Sequence, residues 1–287
     1  MKHSFGPQPR DATTFLFVPG DRPERFGKAM AAGADEVIID LEDAVAPGNT
    51  EAALANALSA LVPGGDVRAV VRVHSTDSEM FEPQLSALLS LSCVTGHGLL
   101  GLMVAKAEDP VAIRGVRRRL PGGLALIPLV ESARGLRAAK SIAALPGVTR
   151  LAFGAVDFSL DVGAELGAEI LDYARASLVI AARVGSGSAP IDSPSTEIAD
   201  ADKVLSAARR ARRNGFGGML AIHPAQIGPI VTGFAPSAEE IAWAVEVLNS
   251  EGGAAQVRGQ LVDRPVTERA KNILLRQASK DEPRVDP

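Results

Sequence analysis

ALIPLVESARG (125–135) and RLAFGAVDFSLD (150–161) are built alike. Each opens on an apolar run fit for a buried strand and stops at an acid, Glu131 in the first and Asp157 in the second. Helix-forming residues follow in both. Strands of one parallel sheet or barrel end on a common face, so the two carboxylates are expected to converge there. Two carboxylates on a dry rim repel each other unless a cation lies between them. Oxygen-only ligands at such a rim suit Mg2+, which takes one or two carboxylates and leaves positions open for substrate.

Outward from this pair the pattern repeats. Further apolar runs are TFLFVP (14–19), EVIIDL (36–41), AVVRV (69–73), GLMVA (101–105), a weak SAPID (188–192) and GMLAIH (218–223). With ALIPLV (125–130) and RLAFG (150–154) they make eight. Between them lie amphipathic stretches such as NTEAALANALSAL, DPVAIRGVRRRL and SARGLRAAKSIAAL, punctuated by Pro-Gly turns. Strand runs apolar on both faces, alternating with helices, predict a (β/α)8 TIM barrel over residues 1–234. Beyond it, PSAEEIAWAVEVLNS carries Ser237 and Glu240 in capping-box spacing. Residues 235–287 are therefore read as a C-terminal helical arm, free to fold over the barrel mouth or to reach another subunit. Its end, SKDEPRVDP (279–287), is expected to be disordered.

Composition narrows the function. A hydrophobic fraction of 46% supplies a large core, and a net charge of −4 argues against nucleic-acid binding. The basic clusters RGVRRRL and RRARRN read as solvated faces of outer helices. The single cysteine, Cys93, excludes an internal disulfide or a cysteine-cluster metal site, and its apolar SLSCV setting predicts a buried, inert thiol. The first residues hold no apolar leader and no run approaches a membrane span, so a cytoplasmic protein is expected.

The polar residues at the run ends are the informative set. Asp40, Glu42 and Asp43 follow the second run, Arg72 and His74 the third, Lys106 and Glu108 the fourth. Glu131, Asp157, Asp192 and His223 follow the later ones. In a barrel all are expected at the C-terminal mouth, where such enzymes carry their active sites. Arg72, in a buried strand, needs a carboxylate partner, Asp40 or Glu42, and offers a planar fork to a substrate carboxylate or thioester oxygen. Lys106, among acids, is read as an ion-pair partner rather than a Schiff-base nucleophile. His223 fits either rim hydrogen bonding or catalysis, and His97 reads as incidental. In VPGDRPERF, Asp21 is expected to cap the next helix and Pro23 to sit in its first turn. Arg22 and Arg25 of the same loop are candidates for binding substrate phosphates. No GxGxxG or P-loop is present, which disfavours dinucleotide or NTP binding.

LFVPGDRPERF, VIIDLEDAV, VVRV, LVESARG, FGAVDFSLDVG, AIHPAQI and GQLVDRPV, in that order, resemble the citrate lyase beta-subunit-like family of the 2-oxo-acid aldolase and malyl-CoA lyase superfamily. The resemblance spans roughly residues 14–276. It implies a TIM barrel, commonly trimeric, that makes or cleaves a C–C bond in acyl-CoA thioesters such as malyl-CoA or citramalyl-CoA. It further implies Glu131 and Asp157 as Mg2+ ligands and Arg72 as the group that polarises the substrate carbonyl. Asp40 and Glu42 would form the acidic group behind the metal, and Asp263 would come from a neighbouring subunit's arm as general acid/base.

Some positions depart from that pattern. His74 stands where the family usually has Asn, and Ala105 where a Pro commonly precedes the lysine. Met219 replaces a usual lysine, a change expected to alter a rim ion pair or the acyl pocket. The reaction implied is a Mg2+-dependent retro-Claisen cleavage of a hydroxy-carboxyacyl-CoA. The alternatives are a CoA-independent 2-oxo acid aldolase, a malyl-CoA thioesterase, or the beta subunit of a citrate lyase complex acting on a carrier-bound citryl thioester.

Overall fold

In a computed structural model, which describes residues 8–46, 48–185, 187–250 and 256–281, eight parallel strands close into a barrel in sequence order. They are β1 (Thr14–Pro19), β2 (Glu36–Asp40), β3 (Ala69–Val73), β4 (Leu99–Val104), β5 (Ala125–Val130), β6 (Ala152–Phe153), β7 (Ile191–Asp192) and β8 (Gly218–Ala221). The helices α1 (Phe26–Met30), α2 (Thr50–Ala60), α3 (Phe81–Ser92) and α4 (Pro110–Arg119) follow the first four strands. α5 (Ala133–Ala143) follows β5, and α6 (Ala155–Val162) with α7 (Glu169–Val184) follows β6. α8 (Ala201–Arg213) and α9 (Ile227–Phe234) follow β7 and β8. The (β/α)8 expectation is met strand by strand, although β6 and β7 keep only two paired residues each.

Side-chain parity decides what faces the barrel axis. Phe15, Ile38, Val70, Met103, Ile127, Leu129, Ala152, Ile191 and Leu220 form one buried cluster drawn from all eight strands. Alternate residues of a strand share a face, so Asp40 continues the inward row of Ile38, Arg72 that of Val70, and Glu131 that of Leu129. Two expectations fail on the same rule. Asp192 is out of step with inward Ile191; it is buried against the helix layer, where Arg175 of α7 donates to it at 3.0 Å. Met219 is out of step with Leu220 and pairs in register with Asp192, so it too faces the helices and not a rim or acyl pocket.

Helix starts follow local chemistry. Asp109 accepts from the Val111 N–H and Pro110 opens α4; Ser132 accepts from the Gly135 N–H and opens α5. Asp21 does not cap the turn that follows it, Pro23–Arg25, where Pro23 holds the first position. Its carboxylate is drawn across to Asn49 Nδ2 (2.9 Å) and the Ala46 N–H (3.3 Å). Cys93 is exposed rather than buried. The inward face of α3 runs through Phe81, Gln84, Leu85 and Leu88 and returns at Leu91 and Ser92; Cys93, the C-cap residue, falls past it.

A second compact unit begins at Phe234. It holds α10 (Ala238–Asn249), a two-stranded pair β9 (Gln256–Val257) and β10 (Gln260–Leu261), and α11 (Arg264–Asp281). Ala244, Val247, Val257, Ala270 and Ile273 form its core. The capping box is realised: Ser237 Oγ accepts from the Glu240 N–H at 3.1 Å and Glu240 accepts from the Ser237 N–H at 2.8 Å. α11 runs on to Asp281, three residues into the segment expected to be disordered; residues 282–287 lie outside the described residues. Among the described residues no helix is long and apolar enough to cross a membrane.

Candidate active site

The inward residues at the C-terminal ends of β2, β3 and β5 build a charged cluster on an apolar floor. Asp40 is fully buried and grips Arg72 with both oxygens, from Nε and Nη2, each at 2.6 Å. The same two oxygens accept the backbone N–H groups of Glu42 (3.0 Å) and Ala44 (2.9 Å). Asp40 therefore has no capacity left for a ligand; its work is to aim Arg72 and shape the loop after β2. The Arg72 guanidinium lies over the Phe17 ring, 4.8 Å from its centroid. Burial opposes its charge, yet the Asp40 hydrogen bonds and the Asp40, Glu42 and Glu131 charges hold its pKa above the ordinary arginine value. Only Nη1 remains for other work, 3.3 Å from Glu42 and 3.5 Å from Asp43.

Lys106 closes the cluster from β4. Its Nζ is 2.6 Å from Glu42 and 3.7 Å from Asp43, the ion pair read from the sequence. Burial works against its charge, but the hydrogen bond and charge of Glu42 keep its pKa raised. Its backbone adopts the left-handed region, φ +46°, unusual for a residue with a side chain. That turn aims the Lys106 N–H at Glu131 Oε1, 2.7 Å away.

Glu131 is the group left incomplete. It is 2% exposed, and its second oxygen, Oε2, is buried with no hydrogen-bond partner. Burial, reinforced by the negative charge of Glu42 and against the pull of Lys106 and Arg72, pushes its pKa up to about 8. It does not cap the following helix, since Ser132 does; Ser132 Oγ also donates to Glu108 at 2.5 Å. Glu42 Oε2 is likewise buried without a hydrogen bond, and burial raises that carboxyl's pKa. Asp157 stands in the first turn of α6 rather than on a strand end, half-buried, near enough to raise the Glu131 pKa by its charge. It makes no ion pair or hydrogen bond among the described residues.

This donor set fits a hard cation. Burying a carboxylate oxygen with nothing bound to it costs on the order of 1–3 kcal/mol, and a cation against Glu131 Oε2 and Asp157 removes that cost. No group of three or more His, Cys, Asp or Glu able to hold a metal occurs among the described residues. The two carboxylates, Glu131 and Asp157, suit Mg2+, which keeps several waters and few protein ligands, better than a transition metal.

Gly154 belongs to the site without having been singled out by sequence. Leu129 pairs in register with Ala152, so Glu131 lies opposite Gly154; a Cβ there would stand 2.6 Å from Glu131 Oε2. The other candidates in the barrel make no hydrogen bond or ion pair with the cluster among the described residues. Arg22 and Arg25 are exposed on the loop after β1, with Arg25 only 4.0 Å from its neighbour Glu24. His74 is fastened to buried Gln84, through its N–H (3.1 Å) and through Nδ1 (3.0 Å). His223 caps the turn Pro224–Gln226 by accepting from the Ala225 N–H, and His97 accepts from the Leu99 N–H. In the second unit, Asp263 is exposed and caps the start of α11, Oδ1 accepting from the Val266 N–H at 3.1 Å.

Comparison with known proteins bears on the fold and the family. The model of the HpcH/HpaI aldolase/citrate lyase family matches residues 13–224. A citrate lyase subunit beta-like protein of Mycobacterium tuberculosis is 36% identical, over 91% of this chain and 94% of its own. Human mitochondrial citramalyl-CoA lyase is 30% identical over 90% of this chain and 83% of its own. The crystal structure of M. tuberculosis CitE in complex with magnesium, acetoacetate and coenzyme A superposes with a TM-score of 0.82. It has 34% identity and covers 94% of this chain and 99% of that one.

Proposed function

Because the chain belongs to the HpcH/HpaI aldolase/citrate lyase family, we propose that it is a Mg2+-dependent carbon–carbon lyase acting on a hydroxy-carboxyacyl-CoA such as citramalyl-CoA or malyl-CoA. One observation carries the metal assignment: Glu131 Oε2, buried and unsatisfied beside the unpaired Asp157. The names of relatives support the substrate class, a citramalyl-CoA lyase and a magnesium, acetoacetate and coenzyme A complex among them. Glu131 and Asp157 would hold the ion, with Lys106 occupying Oε1 and leaving Oε2 for it. When bound, the metal supplies a Lewis acid for the substrate's hydroxyl and carboxylate oxygens.

The remaining chemistry falls to the chain's own groups. Cleavage removes the hydroxyl proton, and that oxygen becomes the carbonyl of an oxo acid. The electron pair of the breaking C–C bond passes to the thioester fragment as an enolate, which then takes up a proton at carbon. Arg72, fixed by Asp40, would present Nη1 to the enolate oxygen, an oxyanion-stabilising role. Glu42, whose Oε2 takes no hydrogen bond and whose pKa is raised, is the group available for the hydroxyl proton. Asp263 from a neighbouring subunit's arm would protonate the enolate carbon, in a homotrimer. Arg22 and Arg25 are the candidates for the CoA phosphates.

The test is a screen of short hydroxy-dicarboxyl-CoA thioesters with Mg2+, read by release of acetyl-CoA. Turnover of one of them that stops with EDTA and returns with Mg2+ is expected. Cleavage of the free acid at the same rate would instead identify a CoA-independent aldolase, and free CoA as product a thioesterase. The naming of the M. tuberculosis relative favours one second reading, a citrate lyase beta subunit acting on a carrier-bound thioester. Activity of the lone chain on a free CoA ester excludes it.

A further inference from the structure

α7 covers the barrel with one face, through Leu171, Ala174, Leu178 and Ala182. Its opposite face carries Tyr173, Ile180 and Val184, exposed by 69%, 63% and 62%, and Ile170, exposed by 44%. At about 100° per residue these four, with Ala176 and Ser177 between them, fall on one stripe. Isolated exposed apolar residues need no explanation, but a continuous stripe roughly 20 Å long does.

The stripe reads the same from both ends. Ile170 and Tyr173 lie to one side of the small pair Ala176–Ser177; Ile180 and Val184 lie at matching distances on the other. An antiparallel pairing of this helix with its own copy uses that order. A two-fold axis beside Ala176–Ser177 sets Tyr173 against the partner's Ile180 and Ile170 against the partner's Val184, and the small residues let the backbones approach. The charges agree. Asp172 and Arg183 fall on the same flank of the stripe, and antiparallel helices bring equal flanks together. Asp172 would thus meet the partner's Arg183, twice per interface. Within the chain, Asp172 reaches only to 3.6 Å from Arg175, and Arg183 has no ion pair among the described residues. A parallel pairing would put equal flanks on opposite sides of the seam and would leave Asp172 without the partner's Arg183.

We propose that α7 forms a two-fold interface, covered by α7 of a second copy of this chain. The contact does not depend on the lyase reading; combined with a threefold assembly it gives six chains, and without one it gives two.

The test uses the full chain in a Cys93→Ser background. Ser177→Cys, mildly oxidised, should appear mainly as a disulfide-linked dimer, because one position can cross-link to itself only beside a two-fold axis. Val111→Cys, at a more exposed position on α4, serves as the control. Ile180→Glu, which changes an exposed side chain, should halve the molar mass measured by light scattering while keeping the melting temperature of the monomeric unit. Failure of Ser177→Cys to exceed the control overturns the proposal, including when Ile180→Glu lowers the mass; that pair of results would mean that a different surface of another copy covers α7. An unchanged mass for Ile180→Glu overturns it as well.

Discussion

The two ends of the barrel both bury charge, and they finish the task differently. At the N-terminal end Arg150, 1% exposed, spends its guanidinium on backbone carbonyls: Nε donates to Ala189 O (2.7 Å), Nη1 to Ala12 O (2.6 Å) and Nη2 to Pro190 O (3.3 Å). Its ring neighbour is Phe15, and Gly217 leaves room for it, since a Cβ there would come within 3.0 Å of Nη2. Burial pushes its pKa down to about 10, and every group around it is satisfied inside the chain. At the C-terminal end the cluster of Asp40, Glu42, Arg72, Lys106 and Glu131 is joined just as tightly, yet two carboxylate oxygens are left over. A closed set of partners marks a plug that holds the fold; an open one marks a site that waits for a ligand.

If the open end is the catalytic one, losing either metal ligand has the largest effect. Glu131→Gln and Asp157→Asn are expected to lower kcat on the order of a thousandfold, with circular dichroism preserved and the melting temperature in EDTA unchanged at pH 5. Near-normal turnover of either purified variant with Mg2+ would remove these residues from the metal site. The closed end should answer in the opposite currency. Arg150→Met removes the hydrogen bonds to these three carbonyls and is expected to cost about 3–4 kcal/mol of stability, read by urea denaturation, while kcat per folded molecule stays unchanged. A stable Arg150→Met protein would show that the carbonyls find other partners and that the plug is dispensable.

Gly154→Ala sharpens the contrast with a single methyl group. The new Cβ would press on Glu131 Oε2, whose backbone partner across the β5–β6 pair it is, so the carboxylate must turn away. An approximately tenfold weaker Mg2+ dependence of turnover is expected, about 1.4 kcal/mol, with little change in KM at saturating metal. An unaltered metal titration would mean that Oε2 is not the liganding atom.

Much of this was legible in the sequence because burial dictates it. Eight apolar runs between amphipathic stretches permit few folds, and the acids after them, Asp40, Glu42 and Glu131, do gather. What was not legible follows from parity and backbone shape. A run end says that a residue is near the mouth, but only the inward row reaches it; Asp192 and Met219 sit one residue out of step and face the helices. Counting from inward Ile191 would have turned Asp192 outward, had the two-residue β7 offered enough alternation to count. The left-handed turn at Lys106 has no such signal, since it is a β4 strand-end lysine with no glycine to announce it. Gly154 becomes informative only once the β5–β6 register sets it opposite Glu131.

The last expected effect is a pH dependence, to which the open end contributes through Glu131. In the metal-free protein Glu131 titrates at about 8, against 4.5 when unburied. Between those values the unfolded chain has released this proton and the folded chain retains it. The unfolded state then binds fewer protons, so stability falls as pH rises from about 4.5 to about 8 and levels off above. Glu36, also pushed up to about 8 by burial, adds the same trend, which is why the comparison must be with Glu131→Gln rather than with pH alone. In EDTA the two proteins are expected to melt alike near pH 5. By pH 8 the Gln variant should melt higher by roughly 10 °C, corresponding to about 4 kcal/mol. Adding Mg2+ should close that gap for the wild type only, because the ion takes the place of the proton on Oε2. A melting difference that stays constant from pH 5 to pH 8.5 would mean that Glu131 is not the strained carboxylate its surroundings make it.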